Sequence, residues 1–297
     1  MPEKSGILIL DKSDGMTSLV AVKRAAALMG EKKGGHTGTL DPMATGVLPV
    51  LIGRATGASA YLTEGDKHYR ARMLLGITTD TEDVTGKVLT ESDGIPTERE
   101  VREVCATFVG KIMQVPPMYS AISQGGVRLH ELARRGIVVE REAREIEIFS
   151  LHVTRVSDKE YDLDVHCSKG TYIRTLCADI GATLGCGAVM SALRRTEAAG
   201  FSIDMAHTLD ALAEMDGDAR AACLIPTRKI FDKLPAVTPA PFFVRLARSG
   251  CELYQRKIGT SYPTGTRVVI DYGDGSFALG EVREFEGGSA IKPIKQF

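Results

Sequence analysis

Between residues 67 and 75 the chain alternates, with Tyr69, Ala71, Met73 and Leu75 on one face and His68, Arg70 and Arg72 on the other. A period of two with one apolar face predicts a half-buried strand, in which Tyr69 is by default a core aromatic. Residues 145–156 and 161–167 alternate in the same way, and Ser157, Asp158 and Lys159 between them predict a hairpin. Apolar runs at 6–11 and 47–52 predict two buried strands, the first stopped by Ser13, Asp14 and Gly15. Leu19, Val22, Ala26 and Met29 recur at roughly helical spacing, with Thr17 and Ser18 as N-caps and Gly30 as the stop. A short helix is expected over 55–62. The clearest helix is 97–109, where Thr97 and Glu100 make a capping box ahead of the stripe Val101, Val104, Cys105, Phe108 and Val109.

Neighbouring prolines deny helix to residues 114–121. A short helix at 127–135 and a longer one opening near Ser168 and running to about Leu184 follow. Residues 205–234 read as helical and acidic. Pro235, Pro239 and Pro241 mark a boundary, so the chain divides into residues 1–234 and a small β-rich module, 235–297. In the module, strands at 266–272 and 276–282 meet at Gly273, Asp274 and Gly275, and residues 290–294 add a third.

The stretch Gly34 to Pro49 breaks every period. Four glycines and two prolines exclude a long helix, and Pro42 holds Asp41 toward extended backbone, so Asp41 sits on a loop. A lone acid there is by default a turn residue bonded to its own backbone. The buried strand that follows would give a catalytic group the rigid support it needs. Tyr172 and Arg174 fall at a strand-to-helix junction, a place that commonly faces a cleft, although an arginine there is more often a surface ion pair. Arg128, Arg134, Arg135, Arg141 and Arg144 read equally as an exposed charged helix or as a phosphate-contacting patch. The cluster Asp80, Glu82, Asp83 lacks the glycine and closing glutamate of a calcium loop and reads as a solvated turn.

Composition narrows the class. A chain of 297 residues with 43% hydrophobic and 25% charged residues can bury a sizeable core. Lys+Arg number 37 against 38 Asp+Glu, so the total charge gives no sign of a polyanionic partner. Six cysteines without a CxxC pair argue for a reduced cytoplasmic chain and against structural zinc. Residues 1–5 lack the features of a signal peptide, and no apolar run is long enough to span a membrane. No internal repeat, Walker loop or GxGxxG occurs.

The stretch Gly35 to Pro49 resembles the signature of the TruB-type tRNA pseudouridine synthases. The resemblance extends through Leu10, Asp11, Lys12, Gly15 and Ser18, the segment Lys67 to Ala71, the segment Pro116 to Ala121, Ser168 to Arg174, and Leu193, Arg194 and Arg195. It implies an α+β catalytic domain around a mixed, mostly antiparallel sheet, with a PUA-like RNA-binding module after Pro235. It implies isomerisation of the T-loop uridine, position 55 of tRNA, to pseudouridine. By the same resemblance Asp41 is the catalytic aspartate, Tyr69 stacks on the target uracil and Arg174 pairs with the aspartate, holding it ionised. Tyr172 and Leu193 line the pocket, and His36 lies against the T loop where the flipped base has left the stack. Ser13 departs from the family's usual proline, and Ser123 from a usual lysine.

No cofactor is expected, because the reaction involves no redox change and no energy input. The expected partner is the T arm of tRNA, with no membrane and no protein partner, the protein acting as a monomer. Two rivals share the fold: a non-catalytic tRNA-binding or tRNA-folding protein, and a synthase with another RNA target. RNA binding alone has no use for a carboxylate facing phosphates. Guide-dependent relatives carry basic terminal extensions, whereas this sequence has five residues before its first strand and ends at Phe297. A small-molecule enzyme has neither a phosphate loop nor a metal cluster to support it.

Overall fold

The computed structural model describes residues 5–63 and 65–297. The reading of the chain's start as free of a leader falls on Met1 to Lys4, outside the described residues. The larger sheet is built from β1 (Gly6–Lys12), β2 (Thr45–Ile52), β3 (Lys67–Leu75), β4 (Gly110–Gln114), β5 (Arg144–Arg155), β6 (Glu160–Cys167) and β7 (Ala188–Ala198), in the order β1-β2-β7-β3-β6-β5-β4. Strands β1 and β2 are buried on both faces, which is why they read as continuous apolar runs. In β3 burial alternates strictly along the strand, as its sequence does. The β5–β6 hairpin forms as expected, with Arg155 opposite Tyr161.

Strand β7 is central, and the residue pattern does not predict it. It runs antiparallel to β3 and parallel to β2, making the one parallel step along this path. Its sequence is alanine-rich and does not alternate cleanly, so packing between two neighbours, rather than propensity, makes it a strand. Where β7 meets β2, Gly46 has φ +102, and a Cβ built on it would lie 2.1 Å from the Arg195 carbonyl oxygen. Gly46→Ala is therefore expected to destabilise the protein by about 3 kcal/mol or more, from backbone strain and overpacking together. A urea midpoint equal to that of the wild type would refute this.

Helix α1 (Ser18–Leu28) is capped by the Thr17 hydroxyl, which accepts from the Val20 amide, and buries Ala21, Val22, Ala25 and Ala26. Helix α2 (Glu98–Thr107) carries the expected capping box in both directions. Helix α3 (Ile173–Leu184) starts at Tyr172 and ends at the left-handed Gly185. The acidic stretch expected to be helical over 205–234 is broken into Leu209–Glu214, Gly217–Ala222 and a 3-10 turn, Thr227–Phe231. The break has a local cause: Asp216 accepts from the amides of Asp218 and Ala219 and starts a new helix.

From β8 (Ala236–Val237) onward a second sheet forms, with α4 (Pro241–Arg248), β9 (Leu253–Tyr254), β10 (Arg267–Asp271), β11 (Phe277–Phe285) and β12 (Gly288–Gln296), in the order β8-β10-β11-β12-β9. The two sheets are joined by an aromatic seam. Phe231 packs against Phe297 with ring centres 5.3 Å apart and edge-on against Phe277 at 5.8 Å, while Tyr61 packs edge-on against Phe231 at 5.1 Å. Among the described residues, no helix is long and apolar enough to cross a membrane.

Candidate active site

Asp41 lies on the loop between the short strand Gly34–His36 and β2. That loop has no regular ladder, so its backbone is held from outside. The Ser18 hydroxyl donates to the Leu40 carbonyl at 2.9 Å and accepts from the Leu40 amide at 2.8 Å. The Lys12 ammonium, with Lys12 1% exposed, donates to the carbonyls of Ser13, Met16 and Pro42 at 2.9, 2.8 and 3.1 Å. The Gly15 amide also donates to Pro42, and the Ala44 amide to Asp41 itself. Both neighbours of Asp41 are thereby tied to β1 and α1, which fixes where its side chain emerges.

Arg174, in the first turn of α3, meets that side chain. Its Nε lies 3.0 Å from Asp41 Oδ2, and its Nη2 donates to Oδ1 at 3.4 Å. Nη1 also donates to the Thr81 carbonyl at 3.1 Å, and Nη2 to the Tyr119 carbonyl at 2.8 Å. Asp83 stands 3.9 Å from Nη1 as a second anion. The fork is therefore clamped on every side and presents one edge to Asp41. Burial pushes the Asp41 carboxyl above the ordinary carboxylate range, and Asp83 adds to the rise, while the Arg174 and Lys12 charges oppose it. Arg174 acts as the opposite charge expected beside Asp41, favouring the ionised carboxylate against a burial that disfavours it.

The acidic cluster is corrected too. Asp80 is exposed, but Asp83 is 5% exposed and accepts from the Thr81 hydroxyl, the Thr85 amide and the Thr85 hydroxyl. Glu82 adopts φ +63 and accepts from Thr175 of α3 at 2.6 Å. The turn faces inward because Arg174 and α3 need its carboxylates. Short side-chain spacing in one dimension does not show this.

Tyr69 is 8% exposed on β3, directly opposite Arg195 of β7 in the strand pairing. Leu193, 7% exposed, lies two residues earlier on β7, and its carbonyl accepts from the Thr45 hydroxyl at 3.5 Å. Tyr172 is locked by a reciprocal pair: its amide donates to Gln114 Oε1 at 2.9 Å, and Gln114 Nε2 donates back to its carbonyl at 3.1 Å. Its phenol lies within the fields of Arg144, Arg174 and Asp41. His36 ends the strand that leads into the loop, and its Nδ1 accepts from the Gly38 amide at 3.4 Å. Burial, aided by the Arg195 charge, lowers its pKa, so the ring is neutral at pH 7.

The structure thus joins Asp41 to Arg174, and brings Tyr69 and Leu193 together on adjacent central strands. Lys12, Asp83 and Arg195 complete the set. Asp83 falls in a turn whose residues read as solvated, and the other two stand out in the sequence only as members of the family motifs. A cation buried amid carbonyls leaves no sequence signature except its position in such a motif.

Comparison with known proteins converges on one family. The profile for the N-terminal domain of TruB family pseudouridylate synthases matches residues 26–173, and that for the tRNA pseudouridylate synthase B C-terminal domain matches residues 174–231. A tRNA pseudouridine synthase B of Syntrophotalea carbinolica is 42% identical over 93% of this chain and 91% of its own length. That of Aromatoleum aromaticum is 41% identical over 97% and 91%. Among solved structures, a chain of a Cbf5–Nop10–Gar1 complex superposes with a TM-score of 0.72 at 27% identity, covering 98% of this chain and 84% of that one. With signature loop, paired carboxylate and sheet agreeing, the chain belongs to the TruB family of pseudouridylate synthases.

Proposed function

We propose that the protein isomerises the T-loop uridine at position 55 of tRNA to pseudouridine, with Asp41 as its essential acid and no cofactor. The observation that carries this reading is an asymmetry in the ion pair. The Arg174 side chain is 7% exposed and Asp41 33%, so the carboxylate is the member open to a substrate and the arginine is its support.

The chemistry follows from the residue types. The bond from N1 to the sugar breaks and the sugar rejoins at C5, whose proton leaves as N1 gains one. Attack by the carboxylate on C1′, attack on C6, and stabilisation of a cationic sugar while a C2′ proton departs all require an anionic oxygen at the reacting base. The target base is stacked within the T loop, so flipping comes first, at about a few kcal/mol. Tyr69 supplies a flat face worth roughly 1–3 kcal/mol per stacked base. Tyr172 and Leu193 bound the pocket, and His36 lies against the vacated loop.

The body of the tRNA is read as lying across cationic surfaces outside the pocket. A cleft of about 490 Å³ at the seam between the two sheets is lined by Lys33, Arg54, Arg248 and Lys295 together with Tyr272, Ser276 and Phe297, and of these cations Arg248 is paired with Asp274. Lys33 immediately precedes the strand Gly34–His36 that feeds the catalytic loop. Arg128, Arg134, Arg135 and Arg144 are also exposed. The double substitution Lys33→Glu, Lys295→Glu is expected to raise KM about tenfold or more at moderate salt, with kcat within about threefold. A KM unchanged across salt concentrations would remove the cleft from the binding surface.

We place the boundary between the catalytic domain and the PUA-like module at residues 234 and 235, and take the enzyme to act as a monomer in the cytoplasm. The six unpaired thiols suit a reducing compartment. The deciding experiment is tritium release from tRNA carrying C5-labelled uridine, beside a transcript whose T-loop target is cytidine. Release lost with the cytidine substitution supports the reading. Release that persists moves the target elsewhere, and tight binding without release leaves a tRNA-binding protein of the same fold.

A further inference from the structure

Two of the described residues other than glycine hold left-handed backbone. Ala199, at φ +54, stands beside Gly200 in the two-residue turn that joins β7 to the short strand Phe201–Ser202, a turn that demands it. Glu82, at φ +63, sits inside a longer loop, where glycine would take the same backbone without strain. Strain of this kind persists where the surroundings over-determine it, and it collects at functional sites. Glu82 is held from several directions. Its amide donates to the Thr79 carbonyl at 3.4 Å, and its carbonyl accepts from the Met190 amide of β7 at 3.1 Å. The Val84 amide returns to the Met190 carbonyl at 3.1 Å, so the turn is registered on the central strand from either side of Asp83.

The side chain of Glu82 then crosses to α3, where it accepts from the Thr175 hydroxyl at 2.6 Å. Thr175 is 4% exposed and follows Arg174 directly. Arg174 itself reaches the Thr81 carbonyl and the Asp83 carboxylate, so Glu82 lies between the two residues that hold the arginine from behind. We propose that Glu82 is a positioning residue of the isomerisation: through Thr175 it fastens the turn that carries Thr81 and Asp83 to the helix that carries Arg174, and so fixes the edge that Arg174 presents to Asp41. The inference rests on Asp41 being the essential acid. Glycine at position 82 would relax the backbone and lose the tie, so the two effects pull in opposite directions at one residue.

Glu82→Gly is expected to slow single-turnover isomerisation of saturating tRNA about tenfold or more, with tRNA affinity within about threefold. Glu82→Gln, whose amide oxygen can still accept from Thr175, is expected to recover the rate to within about threefold of the wild type. Thr175→Val removes the same bond from the other side without touching the strained backbone. It should cost about as much as Glu82→Gly, and the double variant no more than either alone. The acid limb of kcat/KM gives a readout that a mere brace would not move. The charged groups around Asp41 are Arg174, Asp83 and Lys12, and those around Glu82 are Arg174, Arg141, Asp83 and Asp179. Deleting an anion would by its field alone carry the limb to lower pH, whereas loosening Arg174 from Asp41 carries it higher. Glu82→Gly and Thr175→Val are both expected to raise it. An unmoved or lowered limb, a glutamine variant as slow as glycine, or additive losses in the double variant would each overturn the proposal. Failure of the wild type to release tritium at all would instead sink the reading of Asp41 beneath it.

Discussion

Asp41→Asn is expected to abolish isomerisation, by about ten-thousandfold or more, while tRNA affinity stays within roughly tenfold. The amide keeps the shape of the carboxylate and still offers one oxygen to Arg174, so the loop and its supports from Lys12 and Ser18 have no reason to move. What disappears is the anion. Tritium release measures the first effect and equilibrium binding the second. Substantial residual turnover would remove Asp41 from the chemistry, and a collapse in binding would make it a structural residue. The same logic sets the pH dependence. Because burial raises the Asp41 pKa above its ordinary 3.8, the acid limb of kcat/KM is expected to fall at higher pH than for a free carboxyl, activity being lost as pH drops through that raised value.

Arg174→Met removes the support instead of the acid. Arg174 and Asp83 are each 7% exposed at their side chains, so the substitution strands a buried carboxylate and frees the carbonyls of Thr81 and Tyr119. Breaking a buried pair in this way is expected to cost about 3–5 kcal/mol of stability, most of it at Asp83 because Asp41 is one-third exposed. Turnover should fall about a hundredfold or more as the acid loses its aim. A further sign distinguishes this variant. Arg174 opposes the rise in the Asp41 pKa, so its loss must push that pKa up further and carry the acid limb to still higher pH. An unmoved limb with reduced stability would mean that the arginine holds the fold but does not tune the acid.

Much of this site could be read from residues alone. Alternation placed Tyr69 on the inner face of its strand, proline and glycine content placed Asp41 on a loop, and the family motifs joined both to Arg174. The parts that escaped share a physical cause. Strand β7 lacks β-branched alternation and is a strand because it is wedged between β2 and β3. Asp83 sits in an ordinary-looking acidic turn, and its burial depends on Arg174, ninety-one positions away in the sequence. Lys12 and Arg195 bond mostly to backbone carbonyls, groups every residue carries, so no pairing of side-chain types announces them.

The parallel step between β2 and β7 also governs how the protein comes into being. It pairs Thr45 with Arg194 and Gly46 with Arg195, so the middle of the sheet closes only across a very long loop of chain. Such distant pairings form slowly, since their ordering entropy is paid before their contacts reward it. During synthesis from the N-terminus, β2 and β3 exist well before β7, and until β7 arrives each presents an open edge to any other unpaired strand. The Asp41 loop, held by Arg195 of β7 at both ends, is therefore among the last features to set, and a nascent chain stalled before Ala188 is exposed to aggregation with that loop unanchored.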